Sequence, residues 1–220
     1  MERLLDKGFF VILDLLWSLR GVGQARFQEP LANKDHSLTF WNSVAERFKG
    51  YPNVIFDLLS QPFPNYLNGN YTLAWECFRD GGPMRGLDMD AAGMQQLVDT
   101  IRETGATNVI MVAGVSYGND LSQWLKYAPK DPLQQLAASV HIFNYHIRCN
   151  KPDCLHRTLS PIMEKFPLIV AEYGTTECDD GFVHTVQDWI DETNLSHFIA
   201  NSLDCDTLKV DYRGLCACSQ

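Results

Sequence analysis

The chain has 220 residues, of which 45% are hydrophobic and 20% are charged, and it carries a formal net charge of −9. These values are typical of a globular protein that buries a sizeable core, and they exclude a largely disordered chain. The acidic balance argues against nucleic acid or an anionic membrane as the main partner. No apolar run in the sequence is long enough to span a bilayer.

Predicted strands and helices alternate along the chain. Short apolar runs predict six buried strands, at residues 9–15, 54–59, 108–113, 139–143, 168–172 and 196–202. Apolar residues at helical spacing predict helices between them, at residues 37–48, 90–103 and 182–193. This alternation predicts a parallel α/β fold, either an open doubly wound sheet or a (β/α)8 barrel with part missing.

Polar residues at the carboxyl ends of the predicted strands favour the barrel. Glu172 ends one apolar run, and Gln61 follows another in a similar layout. A buried carboxylate is costly, and barrel enzymes place their reactive side chains at these strand ends. Two acids that face one mouth would make a sugar-cleaving site, but position 61 is an amide. No Gly-x-Gly-x-x-Gly motif follows a strand, so a dinucleotide site is not predicted.

Five stretches in chain order are shared with one known family, at residues 10–18, 40–58, 140–143, 169–174 and 211–214. They resemble the third barrel strand, the third helix with the fourth strand, the His-x-Tyr strand, the nucleophile strand and a C-terminal stretch of glycoside hydrolase family 5, the cellulase-type family. The resemblance implies a (β/α)8 TIM barrel of the glycosidase type that is incomplete. About six of the eight βα units are present and the first two strands are missing. It also implies that residues 1–220 form a single catalytic domain lacking its N-terminal part.

The resemblance further implies the residues of the site. Members of the family are retaining glycosidases, in which two carboxyl groups flank the scissile sugar bond. Glu172 takes the nucleophile position, Gln61 takes the acid/base position, and His141 takes that of a histidine that hydrogen-bonds within the site. Three further side chains are expected to bind substrate: Trp17, Tyr173 and Ser60. No metal and no cofactor are expected.

The chain departs from the family pattern at several site positions. Gln61 stands where the family has Glu, Leu16 where it often has His, and Phe143 where it has Tyr. General acid catalysis typically contributes about 10²–10⁴-fold, so the amide should remove about that much for natural leaving groups. Asp57 is not expected to substitute, because it lies about 13 Å along the strand from Gln61. Three interpretations follow: a weakened hydrolase of β-linked polysaccharide, a non-catalytic carbohydrate-binding relative, and a truncated remnant.

The cysteine pattern and the family resemblance together predict where the protein acts. Among seven cysteines, Cys149 and Cys154 could close a short loop, while Cys178 and Cys205 follow consecutive predicted strands and could also pair. Disulfides indicate an exported protein. We therefore expect an extracellular monomer that binds polysaccharide or oligosaccharide, although acidic residues interrupt the first eight positions and no signal peptide is visible there.

Overall fold

A computed structural model describes residues 2–18, 28–64, 70–84, 87–176 and 181–197. Six parallel strands form the main sheet, in the order β1-β2-β5-β6-β7-β8, and β3 and β4 form a separate antiparallel hairpin. The strands are β1 (Val11–Asp14), β2 (Val54–Asp57), β3 (Gly81–Pro83), β4 (Asp90–Ala92), β5 (Ile110–Ala113), β6 (Leu136–Phe143), β7 (Leu168–Gly174) and β8 (Ser196–His197).

Helices connect the parallel strands. They are α1 (Glu2–Leu5), α2 (Ser37–Phe48), α3 (Tyr71–Asp80), α4 (Met94–Glu103), α5 (Trp124–Tyr127), α6 (Pro152–Cys154), α7 (Ser160–Met163) and α8 (Gly181–Thr193), with a π-helical turn at Leu155–Leu159. In the part of the chain that the structure describes, none of these helices has the length and apolar character needed to cross a membrane.

The helices cover one face of the sheet. Trp41 of α2 and Trp124 of α5 are fully buried there, and their indole N–H groups donate to the carbonyl oxygens of Leu58 and Val112, each at 3.1 Å. On the opposite face, four strands contribute a smaller apolar cluster that contains no helical residue: Ile55, Met111, Ala137 and Ile169. This second face is the interior of the barrel.

The strand order identifies the architecture as part of a (β/α)8 barrel. The parallel strands neighbour one another in chain order, without the reversal that defines a doubly wound sheet. The barrel prediction is therefore confirmed and the open-sheet alternative is wrong. Within the described residues, β1 and β8 form the two edges of the curved sheet.

The predicted elements are confirmed in kind but differ at their ends. The helix predicted at 90–103 begins only at Met94, because Asp90–Ala92 pairs with Gly81–Pro83 as a hairpin. Gly93 separates strand from helix, and its N–H donates to the side chain of Gln96. A Cβ on Gly93 would lie 2.4 Å from the carbonyl oxygen of Arg79, so this close approach requires glycine. The strand predicted at 196–202 starts as expected, and its later part lies outside the described residues.

Candidate functional site

Glu172 and His141 lie opposite each other on neighbouring strands because β7 contains a bulge. Val140 pairs with Val170, whereas His141 pairs with Glu172, so Ala171 is an extra residue on β7. Such a bulge bends a strand and re-aims the side chain that follows it. The result is a distance of 3.5 Å between His141 Nδ1 and Glu172 Oε2. The structure thus brings together two of the predicted site residues.

The imidazole of His141 is fully buried and uncharged at neutral pH. Burial, and to a smaller extent the nearby His146, lower its pKa to about 3. Among the described residues, neither ring nitrogen of His141 has a hydrogen-bond partner, and the distance of 3.5 Å from Nδ1 to Glu172 is long for a hydrogen bond. His141 therefore offers unused hydrogen-bonding capacity beside Glu172 but no positive charge.

Gln61 lies half-buried on the loop that follows β2. Its backbone carbonyl accepts a hydrogen bond from the side chain of Gln28. The carbonyl of the next residue, Pro62, accepts from the N–H of Tyr117 at 2.9 Å. Hydrogen bonds to the carbonyl groups of Gln61 and Pro62 therefore hold the backbone of this segment in place.

The loop at residues 114–120 joins this segment to His141. Gly118 has a φ of +78°, and its carbonyl accepts from the His141 N–H at 2.9 Å. A Cβ on Gly118 would lie 2.8 Å from His141 Cγ and 3.0 Å from the carbonyl oxygen of Ser60. Only glycine leaves room for the imidazole at this position.

The mouth of the barrel is the end at which the parallel strands finish. Three carboxyl groups interact electrostatically there: those of Asp14, Asp57 and Glu172. Burial raises the pKa of Asp14 to about 6, although the residue keeps solvent access at the edge strand. Burial and the charge of Asp14 raise the pKa of Glu172 to about 7. Asp57 is 3% exposed, and burial followed by the charges of the other two raises its pKa well above the usual range. The cluster therefore holds protons near neutral pH.

The remaining predicted binding residues differ in their placement. Trp17 follows β1 and is 50% exposed, so its ring is accessible. Ser60 is buried, and its hydroxyl donates to Asp14 Oδ2 at 3.0 Å. Tyr173 is buried among helices, where its hydroxyl donates to Gln187 Oε1 of α8 at 2.8 Å. The prediction that Tyr173 stacks on a sugar is wrong, because the residue after Glu172 faces outward from the barrel.

A group of aromatic side chains follows β6 beside Glu172. Tyr145 is exposed and stacks on Phe143 with ring centroids 5.2 Å apart, and His146 packs edge-on against both rings. Burial and the charge of Glu172 raise the pKa of Tyr145. A phenol is therefore close enough to Glu172 to sense its charge, although position 143 lacks the hydroxyl expected there.

The predicted disulfide between Cys149 and Cys154 is confirmed. Asn119 ties this loop to the site: its side-chain N–H₂ donates to the carbonyl oxygens of His141 at 2.8 Å and Cys149 at 2.7 Å. Its side-chain oxygen accepts from the N–H groups of Arg148 and Cys149. The second predicted pair, Cys178 with Cys205, lies outside the described residues. Where the structure is described, no three His, Cys, Asp or Glu side chains are arranged to hold a metal ion.

The sequence prediction missed two residues at the mouth. Asp14 lies near the carboxyl end of the first predicted strand, residues 9–15, and the rule that selected Glu172, a carboxylate at a strand end, could have found it. Tyr145 lies in a turn after β6, where no periodic pattern marks the direction of a side chain.

Comparison with known proteins places the chain in a family. The sequence model of the family described as "Cellulase (glycosyl hydrolase family 5)" matches residues 1–205. Endoglucanase A of Evansella cellulosilytica is 21% identical over 202 residues, which are 89% of this chain and 36% of that protein. The chain therefore spans about a third of the length of this curated relative.

Solved structures share the fold at low sequence identity. The native β-glucanase SdGluc5_26A from Saccharophagus degradans has a TM-score of 0.67 at 16% identity, covering 96% of this chain and 65% of its own. The catalytic domain of Thermobifida fusca endoglucanase Cel5A has a TM-score of 0.59 at 18% identity, covering 91% of this chain and 59% of its own. From the match over residues 1–205 and the barrel order of the strands, this chain belongs to the cellulase family, glycoside hydrolase family 5.

Proposed function

We propose that the chain is a retaining hydrolase of O-glycosyl bonds in β-linked polysaccharide, resembling an endoglucanase, with Glu172 as its nucleophile. The observation that carries the proposal is the bulge in β7, which aims Glu172 into the mouth of the barrel beside His141. A carboxylate there can attack an anomeric carbon and form a glycosyl-enzyme intermediate, which water then hydrolyses.

Gln61 makes this hydrolase a weakened one. An amide can donate and accept hydrogen bonds with sugar hydroxyls, but it cannot transfer a proton as an acid. His141 is neutral and buried, so it does not provide the missing proton. We therefore compare turnover on substrates whose leaving group needs no proton with turnover on natural sugars. The ratio of the two should be higher in this protein than in an enzyme with an acid at position 61.

The proposed substrate is an oligosaccharide or polysaccharide of the glucan type. The exposed ring of Trp17 beside the end of β1 is a surface on which a sugar can stack. Among the relatives, the β-glucanase from Saccharophagus degradans forms a crystalline complex with cellotetraose. We extend the proposal to residues 1–220 acting as one catalytic domain, monomeric and extracellular; the Cys149–Cys154 disulfide favours an oxidising compartment.

A second candidate is a non-catalytic carbohydrate-binding protein. The observation that favours it is Gln61, which replaces an acid by a group suited to hydrogen bonding. In this case we expect the chain to bind cellotetraose in a calorimetric titration but to release no dinitrophenol from 2,4-dinitrophenyl β-cellobioside.

The test is hydrolysis of 2,4-dinitrophenyl β-cellobioside, whose leaving group departs without a proton. We expect measurable turnover by the wild type and background rates for Glu172→Gln. The matched control is Glu46→Gln, which removes an exposed carboxylate of α2 that pairs with Lys49 away from the mouth. Equal turnover by the wild type and Glu172→Gln would contradict the role of Glu172.

A further inference from the structure

We propose that Asp14 is the proton donor and acceptor of this site, in the role that Gln61 cannot perform. The proposal rests on the proposed function, because it requires attack by Glu172 on a sugar. It assigns a catalytic role to a residue of the neighbouring strand and not to the residue at the usual acid/base position.

Asp14 is held next to the acid/base position. It ends β1, which pairs with β2, and Ser60 donates a hydrogen bond from Oγ to Asp14 Oδ2 at 3.0 Å. The backbone N–H of Ser60 also donates to this carboxyl group. Because Ser60 directly precedes Gln61, both hydrogen bonds place the carboxyl beside the Gln61 segment. Asp14 also keeps solvent access, so a substrate can touch it.

Gly118 lies between the segment that holds Asp14 and the residue that faces Glu172. A Cβ built on Gly118 would lie 3.0 Å from the carbonyl oxygen of Ser60, which binds Asp14, and 2.8 Å from His141 Cγ. His141 Nδ1 is in turn 3.5 Å from Glu172 Oε2. The charge of Asp14 also raises the pKa of Glu172, as expected for two carboxyl groups that share one cleft.

Asp57 is not the donor, although it belongs to the same cluster. Its side chain is 3% exposed, so a bound sugar cannot touch it. Asp14 has the access that Asp57 lacks. Burial raises the pKa of Asp14 to about 6, and burial with the charge of Asp14 raises that of Glu172 to about 7, so the form that reacts, with the proton on Asp14 and Glu172 ionised, is the minor singly protonated form.

The proposed reaction has two chemical steps. In the first, a Glu172 oxygen forms a bond to the anomeric carbon, the glycosidic C–O bond breaks, and the proton of the Asp14 carboxyl group passes to the departing oxygen. In the second, water attacks the anomeric carbon and gives a proton to the Asp14 carboxylate, while the bond to Glu172 breaks. Both carboxyl groups return to their starting states.

The experiment compares Asp14→Asn with the wild type on two substrates. The amide is isosteric and can still accept the hydrogen bond from Ser60, so the fold should persist; circular dichroism and a melting curve check this. We expect turnover of cellopentaose to fall by about 10²–10⁴-fold. The release of dinitrophenol in the first turnover of dinitrophenyl β-cellobioside should fall by less than about 10-fold, because that step needs no proton.

Azide gives the second measurement. Azide attacks the glycosyl-enzyme without help from a base, so it should restore steady-state turnover of Asp14→Asn and give a β-glycosyl azide. Asp14→Glu retains an acid and should keep more activity on cellopentaose than Asp14→Asn. Gln61→Ala and the exposed control Asp99→Asn, whose carboxylate on α4 accepts from Gln95, should show no azide rescue.

Equal fold losses of Asp14→Asn on both substrates, without a glycosyl azide, would overturn the role of Asp14. So would a wild type that releases dinitrophenol but never cleaves cellopentaose. In both cases the role of Glu172 as nucleophile survives if Glu172→Gln abolishes dinitrophenol release. If Glu172→Gln has no effect, the proposed function fails and the role of Asp14 fails with it. If Asp14→Asn does not fold, Asp14→Glu takes its place in the comparison. Equal fold losses of Asp14→Glu on cellopentaose and on dinitrophenyl β-cellobioside would then overturn the role of Asp14.

Discussion

At the scale of single residues, we expect the amide of Gln61 to determine which substrates the site can process. We predict that Gln61→Glu raises cellopentaose turnover, with an upper limit of about 10²–10⁴-fold set by general acid catalysis. Turnover of dinitrophenyl β-cellobioside should change much less, since its leaving group needs no proton. If Asp14 already supplies part of the proton transfer, the gain should be larger in the Asp14→Asn background. No gain in either background would show that position 61 no longer lies against the scissile bond.

Asp57 makes the stability of the protein dependent on pH. Folding raises the pKa values of Asp14, Asp57 and Glu172, so their stabilising contribution is complete below about pH 4 and is lost as the pH rises through the raised values. These three groups therefore lower the melting temperature as the pH rises from about 4 to 8, whereas His141 and His146, whose pKa values burial lowers, raise it over the part of this range below about pH 6.5. We predict a net fall between about pH 6.5 and pH 8. Asp57→Asn cannot ionise, so its fall should be shallower, with a gain near pH 8 of about 1 kcal/mol, or about 2–4 °C.

The control for this prediction is Asp99→Asn, which removes an exposed carboxylate on α4 and should reproduce the pH profile of the wild type. A profile of Asp57→Asn that is as steep as that of the wild type would show that Asp57 does not ionise over this range.

Single residues at strand ends could be predicted from the sequence, but their directions could not. The strand-end rule identified Glu172 and Gln61, and the family resemblance assigned their roles and identified His141. Simple alternation along β7 would put Val170 and Glu172 on the same face, yet Val170 packs in the core under the helices. The bulge at Ala171 turns Glu172 into the barrel and leaves Tyr173 outside. Bulges leave no reliable mark in one sequence, so the prediction for Tyr173 was wrong.

At the scale of elements, the loop at residues 114–120 positions His141. We predict that Gly118→Ala lowers turnover of dinitrophenyl β-cellobioside, because the added Cβ meets the imidazole and the Ser60 carbonyl. Gly105→Ala is the matched control: Gly105 also has a positive φ, of +80°, but nothing lies within 4 Å of the added Cβ. Both variants should lose about 1–2 kcal/mol of stability from the positive φ, and only Gly118→Ala should lose activity. Equal activity of the two variants would refute this role for the loop.

The disulfide loop supports the same side of the site through Asn119. We predict that Asn119→Ala lowers the free energy of unfolding by about 1–3 kcal/mol, because buried backbone groups of Cys149 and His141 lose their partner. The measurement is denaturant unfolding. Asn144→Ala is the control, because the Asn144 side chain forms its hydrogen bonds with the exposed Thr176 and not with buried groups. A smaller loss for Asn119→Ala than for Asn144→Ala would contradict the prediction.

Regular elements could be predicted better than their connections. The apolar runs of the parallel strands and the periodicity of α2, α4 and α8 carry the signal of burial, and all these elements form. The sequence predicts β4, the second strand of the β3–β4 hairpin, as the start of a helix, because a three-residue strand is too short for a period of two to stand out. The close backbone approach at Gly93 fixes this boundary, and it depends on tertiary contacts that local sequence does not encode.

For the whole molecule, chain order and family resemblance were sufficient to predict the barrel. Parallel strands joined by helices can adopt only a few topologies. Strands that neighbour one another in chain order, without a reversal, form a barrel. Selectivity among glucan, mannan and xylan depends on loop contacts around the mouth, which no periodic pattern encodes. The carboxyl cluster is also a property of the whole fold, since Asp14, Asp57 and Glu172 come from three strands.

The most direct test is whether Glu172 forms a covalent bond to a sugar. The intact protein would be incubated with a 2-deoxy-2-fluoro-cellobioside that carries a dinitrophenyl leaving group, and its mass and digest peptides measured. We predict the mass increase of one fluorocellobiosyl group, located on Glu172 and absent in Glu172→Gln. A folded protein that gains no mass, or gains it at another residue, would contradict a working nucleophile at this position.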